Sequence, residues 1–286
     1  MATRVGVVLS GCGNQDGSEI NEAVLTLYWI ERAGGRGICL APNASQATVV
    51  DHLTGSPEAG PPAPRRVLTE AARIARGRIR DIATVQDTDL DALIFPGGTG
   101  VTTVLSNYAE KGVVCEVHPE VTRLLKAMLQ RRRPMGFICV SPILAARVLG
   151  PAAGVRVTFG TKACTEAKHA AVMGADVRPC PLREILIDQK NRVVSTPAFM
   201  YDDARLQDVG FAIERLVRQV VSLARDRQAR PQAGPGQPRN PGRPQGQRGP
   251  EPQAQPGGVV VRRHERPTEP AVATPPTVPN QGGGAG

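Results

Sequence analysis

The stretch that most constrains the fold is Pro134-Met135-Gly136-Phe137-Ile138-Cys139-Val140-Ser141-Pro142, followed by Ile143-Leu144-Ala145-Ala146-Arg147-Val148-Leu149. Its first half is a short apolar run of the kind that forms a strand buried on both faces. Its second half is an apolar helical run, with Pro142 suited to the first helical turn and Gly150 as the stop. Strand, sharp turn and helix with Cys139 on the turn make a nucleophile elbow. Such an elbow lifts a side chain above the carboxyl edge of a sheet and aims the positive end of the helix at it. A thiol so placed is expected to lose its proton more readily than a free one. Phe137 and Ser141 stand where the G-x-S-x-G pattern has glycines, and a buried structural cysteine is the competing reading.

The rest of the chain repeats this strand-and-helix alternation. Arg4-Val5-Gly6-Val7-Val8-Leu9-Ser10 and Gly37-Ile38-Cys39-Leu40-Ala41 are apolar runs on either side of a helix, a right-handed βαβ unit by default. A polar, glycine-rich loop, residues 11–18, follows the first strand. Asp16 and Glu19 have the spacing of a capping box, and Ile20, Ala23, Val24, Leu27 and Ile30 trace the apolar face of the helix. Ala92-Leu93-Ile94-Phe95 is the next buried strand and runs into Pro96-Gly97-Gly98-Thr99-Gly100. Helices are predicted over residues 66–76, from Pro119 to a cationic cap at Arg131-Arg132-Arg133, over 165–173 and over 203–225. Strands are predicted over 155–159, 184–188 and 192–196. The class is therefore α/β, a doubly wound, mainly parallel sheet with helices on both faces.

Composition divides the chain in two. From Arg227 onward there are 13 of the 26 prolines, no aromatic residue and no cysteine. Residues 227–286 cannot bury enough apolar surface to offset the entropy of ordering and read as a disordered Pro/Gly/Arg/Gln-rich tail, leaving one domain over residues 1–226. The tail carries eight arginines and three glutamates, a net +5, so the 27 basic and 23 acidic residues of the domain leave only +4 of the total +9. That is no nucleic-acid signature. Contact of the tail with nucleic acid is the weaker reading, because its arginines are scattered and lack aromatic stacking partners. Met1-Ala2-Thr3-Arg4 leads straight into a strand, and no apolar run is long enough to span a bilayer. Six cysteines without close pairing and four scattered histidines point to reduced thiols in cytoplasm, with no metal site.

In a sheet of this class, sites form beyond the carboxyl ends of the strands. Three segments end there: residues 10–19, residues 96–100 and the Cys139 elbow. They supply a nucleophile, Cys139; a carboxyl that takes or holds a proton, Glu19; and N–H donors for an oxyanion from Gly98 and Val140, with Gly97 shaping the turn. Glu19 also reads as a solvated carboxylate at a helix start. Cys12 sits in a loop at the same edge, either as a second thiol near the site or as a small buried residue. Gly11-x-Gly13 is not a dinucleotide fingerprint, since Asp16 stands where the third glycine belongs.

Seven segments in order carry a family resemblance: Ser10-Gly11-Cys12-Gly13, Asp16-Gly17-Ser18-Glu19-Ile20, Asp51-His52-Leu53-Thr54-Gly55, Glu70-Ala71-Ala72-Arg73-Ile74-Ala75-Arg76-Gly77, Phe95-Pro96-Gly97-Gly98, Ile138-Cys139 and Ser195-Thr196-Pro197-Ala198-Phe199-Met200. Over residues 4–225 the chain closely resembles the ElbB family of the PfpI-type, class I glutamine-amidotransferase-like superfamily. The resemblance implies a flavodoxin-like α/β sandwich, a homodimer, no cofactor, and an elbow cysteine, Cys139, beside a carboxyl matched to Glu19. It implies a glyoxalase that turns glyoxal, a small aldehyde, into glycolate, with protein deglycation as a discussed alternative and a loose link to isoprenoid biosynthesis. The chain departs from the family pattern at Asn21, where a histidine is common, and at Thr103 and Val104, which replace a lysine and an asparagine.

The leading expectation is a cofactor-independent glyoxalase working through a Cys139 hemithioacetal. The alternative is a non-enzymatic redox-sensing or stress-related binding protein that uses the same cysteine. A glutaminase-like subunit ranks third, because no His-x-Glu pair follows the elbow.

Overall fold

The computed structural model describes residues 2–58, 65–161 and 163–229. The chain opens with β1 (Thr3–Val8), α1 (Ile20–Arg32) and β2 (Gly35–Ala41), followed by a small hairpin of β3 (Val50–Asp51) and β4 (Ser56–Pro57). Then come α2 (Val67–Ile74), β5 (Ile79–Asp81), β6 (Ala92–Phe95), α3 (Gly100–Thr103), α4 (Tyr108–Lys111), α5 (Pro119–Gln130) and β7 (Met135–Ile138). The remainder is α6 (Pro142–Ala153), β8 (Arg156–Val157), α7 (Thr165–Val172), β9 (Asp176–Val177), β10 (Leu186–Asp188), β11 (Val193–Thr196) and α8 (Leu206–Ala229). The tail expected from 227 lies, from residue 230, outside the described residues.

Seven strands form one sheet in the order β10-β11-β7-β6-β1-β2-β5, parallel throughout except for the β10–β11 pair. The central strands β1, β6 and β7 are short apolar runs with both faces covered, as parallel strands require. One face is packed by α1, α2 and α8 through Ala23, Ile30, Ala71, Ile213 and Leu216. The other is packed by α5 and α6 through Leu124, Leu125, Leu144 and Leu149. From β1 the chain winds outward to β2 and β5, then returns across β1 to β6, β7 and β11. Strand order thus reverses between β1 and β6, and the crevice at that switch point is where ligands bind in open α/β sheets. Phe95 and Phe137, paired across β6 and β7, stack at 5.2 Å and lock the two strands just below it.

Several local expectations are corrected. Strand 155–159 shrinks to β8, which pairs with β9 in a separate two-stranded sheet. Ile20 and Val24 are 44% and 48% exposed, whereas the buried face of α1 is Glu22, Ala23, Thr26 and Ile30. The helix begins at Ile20 with Glu19 as its N-cap, so Asp16 plays no part in a capping box; its carboxylate accepts from Val50 N–H and holds the hairpin instead. Arg131 pairs with Asp87, and Arg133 donates to the carbonyls of Asp87 and Leu90, so these cations tie α5 to a neighbouring turn besides facing its dipole. Among the described residues, no helix is long and apolar enough to cross a membrane.

Candidate active site

Cys139 follows the last residue of β7 and takes a left-handed backbone, φ 60°, that side-chain-bearing residues seldom adopt. Two ties hold it there. Its N–H donates to Thr196 O at 3.0 Å. The Ser141 hydroxyl accepts from Ile138 N–H and lies 2.8 Å from the carbonyls of Ile138 and Phe95, bridging the ends of β6 and β7. Ser141 therefore does by side chain what a tight glycine turn does elsewhere, which explains why the elbow tolerates the departure from G-x-S-x-G.

The backbone N–H groups of Gly98 and Val140 both lie against the Cys139 sulfur. Gly98 reaches it through a positive φ of 97°, and a Cβ there would lie 2.3 Å from Gly17 O and 2.4 Å from Glu19 N. Only glycine fits, because the turn after β6 is pressed onto the loop after β1. Three backbone bonds hold the two together: Glu19 N–H to Gly97 O, Gly100 N–H to Gly17 O and Thr99 N–H to Asn14 O.

The carboxyl beside the thiol belongs to Glu22. Its side chain is fully buried and accepts the Gly97 N–H at 2.7 Å, with the Phe199 N–H and the Cys139 thiol against the same group. Glu19, expected in that place, is turned to the helix end: Oε2 accepts Glu22 N–H at 2.6 Å and Oε1 accepts from Asn21 Nδ2 at 3.1 Å. Asn21, where the family commonly has histidine, is exposed. Gly97 passes between thiol and carboxyl, and a Cβ on it would meet Cys139 Cβ at 2.6 Å and Glu22 Oε2 at 2.8 Å. Cys12 is half-buried among Arg73, Glu70 and Asp16, on the α2 side of its loop.

Sequence reasoning missed Glu22 and Phe199. The signal for Glu22 was its place three residues after Glu19 and one before Ala23, on the face that carries Thr26 and Ile30. Phe199 belongs to the Ser195-Thr196-Pro197-Ala198-Phe199-Met200 segment, whose Ala198 has φ 45° and turns the next N–H toward Glu22.

Burial sets the protonation of this pair. It pushes the Glu22 carboxyl up to about 8, aided by the nearby charge of Glu19 and opposed by the Gly97 and Phe199 N–H groups. Burial, and then the negative charge of Glu22, pushes the Cys139 thiol up as well, against the pull of the Val140 and Gly98 N–H groups. The expectation of an easily ionised thiol is thus reversed, because desolvation outweighs the two N–H groups. Near neutral pH the pair is mostly uncharged and shares two protons.

This has a consequence for stability. The folded state holds the Glu22 proton up to about pH 8, while the unfolded chain releases it near its ordinary value of about 4.5. Stability therefore falls as pH rises from about 4.5 to about 8. The wild type is expected to lose up to about 4 kcal/mol over that interval relative to Glu22→Gln. Urea unfolding of both proteins at pH 5 and pH 8 checks this; parallel curves would contradict it.

No family model matches the chain. It is 42% identical over 231 residues to the human protein named glutamine amidotransferase-like class 1 domain-containing protein 3, mitochondrial, covering 78% of this chain and 84% of that one. The chain belongs to the glutamine amidotransferase-like class 1 (ES1) family. The zebrafish ES1 protein, mitochondrial, is 32% identical over 237 residues, covering 77% and 86% of the two chains. The crystal structure of an isoprenoid biosynthesis protein with an amidotransferase-like domain from Ehrlichia chaffeensis matches with a TM-score of 0.70 at 32% identity, over 77% of this chain and 99% of that one. This ES1-family chain thus has the ElbB-like, DJ-1/PfpI-type fold that its motifs imply. Among its described residues, no group of three or more His, Cys, Asp or Glu side chains is arranged to hold a metal ion.

Proposed function

We propose that the protein is a cofactor-independent glyoxalase acting on small 2-oxoaldehydes such as glyoxal. One observation carries the reading: a buried carboxyl, Glu22, lies against an elbow thiol, Cys139, at whose sulfur two backbone N–H groups point. The sulfur adds to the aldehyde carbon to give a hemithioacetal, while the thiol proton passes through Glu22 to the oxygen. Glu22 then removes the proton from that carbon and returns one to the neighbouring carbon, while the hydroxyl proton of the first carbon passes to the carbonyl oxygen of the second, leaving a thioester of glycolate on Cys139. Water cleaves the thioester, releasing glycolate and restoring the thiol. No external oxidant or reductant enters, since one carbon is oxidised as its neighbour is reduced. The N–H groups of Gly98 and Val140 are suited to the oxyanions of addition and hydrolysis. A carboxyl with a pKa of about 8 is matched to proton transfer in both directions near neutral pH. Cys139→Ser is expected to abolish glycolate formation from glyoxal in amine-free buffer, and unchanged turnover would overturn the reading.

A second reading, a redox sensor, rests on the N–H groups at the sulfur, which suit its oxidised form, and against it stand the burial and raised pKa of the thiol. A sulfinate at Cys139 would accept from the Gly98 and Val140 N–H groups and from a protonated Glu22. Mild peroxide followed by peptide mass analysis is then expected to find two added oxygens at Cys139 ahead of half-exposed Cys12 and Cys164. Even oxidation of all three would remove this reading and leave the enzyme standing alone.

A further inference from the structure

The sheet is incomplete at its β5 edge. β5 has three residues and pairs only with Cys39, Leu40 and Ala41 of β2. Among the described residues, no strand pairs with residues 35–38 on the side away from β1. Leu40 O accepts Leu9 N–H on the β1 side. Backbone groups alternate along a strand, so those of Gly35 and Gly37 face the open edge.

That edge forms one wall of a cleft of about 890 Å³ between α1 and α2, walled also by Leu27 and by residues 74–80. Its two sides differ in chemistry. Towards α1 stand Leu27, whose Cδ2 is 3.0 Å from where a Gly37 Cβ would be, and the carboxylate-bearing Glu31; Ile74 and Ile79 belong to the same apolar layer. Side chains alternate along a strand, which sends Arg36 and Arg80 to the opposite face from Leu27 and Ile79, and Arg76 and Arg78 also line the cleft. Arg80 is held by Asp89 and Thr84 O. Arg36, Arg76 and Arg78 are exposed and have no side-chain partner among the described residues.

We propose that this edge docks an extended acidic segment of a partner protein, which adds to β2 as a further strand. Main-chain hydrogen bonds to Gly35 and Gly37 would supply affinity. Alternate side chains would select the sequence, apolar ones entering the cleft beside Leu27 and Ile74, and acidic ones meeting Arg36 and Arg78. Charge complementarity decides the occupant: among the described residues Glu31 is the one acidic residue lining the cleft, against Arg36, Arg76 and Arg78 besides the Asp89-held Arg80, so the lining is net positive. Facing arginines keep a second copy of the same edge away, the usual protection of an open strand, yet they attract glutamate and aspartate. A small phosphorylated ligand would use the arginines too, but it would leave the strand amides unpaired.

The test titrates the full chain with a fluorescein-labelled peptide alternating glutamate and valine, and with its lysine counterpart, and follows amide exchange at Gly37. The acidic peptide is expected to bind and the lysine peptide not to bind. Gly37 exchange should slow at least tenfold on binding. The double variant Arg36→Glu/Arg78→Glu should weaken binding at least tenfold without altering thermal unfolding. If that variant fails to fold, the wild-type exchange still decides. Absence of binding, binding that leaves Gly37 exchange unchanged, or displacement by equimolar inorganic pyrophosphate would each overturn the proposal.

Discussion

Gly97→Ala is expected to lower glyoxal conversion by about 100-fold or more while the chain still folds. The added methyl would lie within 2.6 Å of Cys139 Cβ, 2.8 Å of Glu22 Oε2 and 3.0 Å of the sulfur. None of these can yield freely. Cys139 is fixed by its strained backbone and by Thr196, and Glu22 is enclosed. Relief requires the turn after β6 to move or the thiol and carboxyl to part, and an ångström of misplacement costs about 100-fold. Overpacking of this kind also costs roughly 1–3 kcal/mol of stability. Initial rates of glycolate formation, with circular dichroism to verify folding, check the prediction. Activity within a factor of three of wild type would mean that thiol and carboxyl do not act together.

Glu22→Gln is expected to have the second large effect. The amide keeps the size of the side chain and an oxygen for the Gly97 N–H, but it cannot take up and return a proton. General acid–base transfer contributes about 100- to 10,000-fold, and that range is the expected loss. The pH profile should change with it. In the wild type the proton-accepting form of Glu22 grows as pH rises toward about 8, so the rate should climb over that interval. In the variant that limb should vanish. A preserved limb would assign the titration to another group.

The parallel sheet was legible because β1, β6 and β7 are uninterrupted apolar runs, each flanked by turn residues and helices. The elbow and the glycine turn were legible for the same reason, since Cys139, Val140, Gly97 and Gly98 lie directly after strands whose carboxyl ends meet at the switch point. Glu22 was hidden because helical faces are read from apolar residues, and in α1 that rule misleads. Ile20 and Val24 are exposed there, and a glutamate and Thr26 are buried, so the face turned inward contradicts the hydrophobic pattern. Glu19 drew attention through its capping signature, and capping is what it does. β8 and β9 escaped because two-residue strands carry no periodicity.

The most direct test of the account compares initial rates of glycolate formation from glyoxal, in amine-free buffer near pH 8, for the wild type, Glu22→Gln and Glu19→Gln. The account predicts a loss of about 100-fold or more in Glu22→Gln. Glu19→Gln, which keeps an oxygen for the Glu22 N–H, should stay within about threefold of wild type, its cap costing at most about 1 kcal/mol of stability. Full activity in Glu22→Gln, with the loss in Glu19→Gln instead, would contradict it.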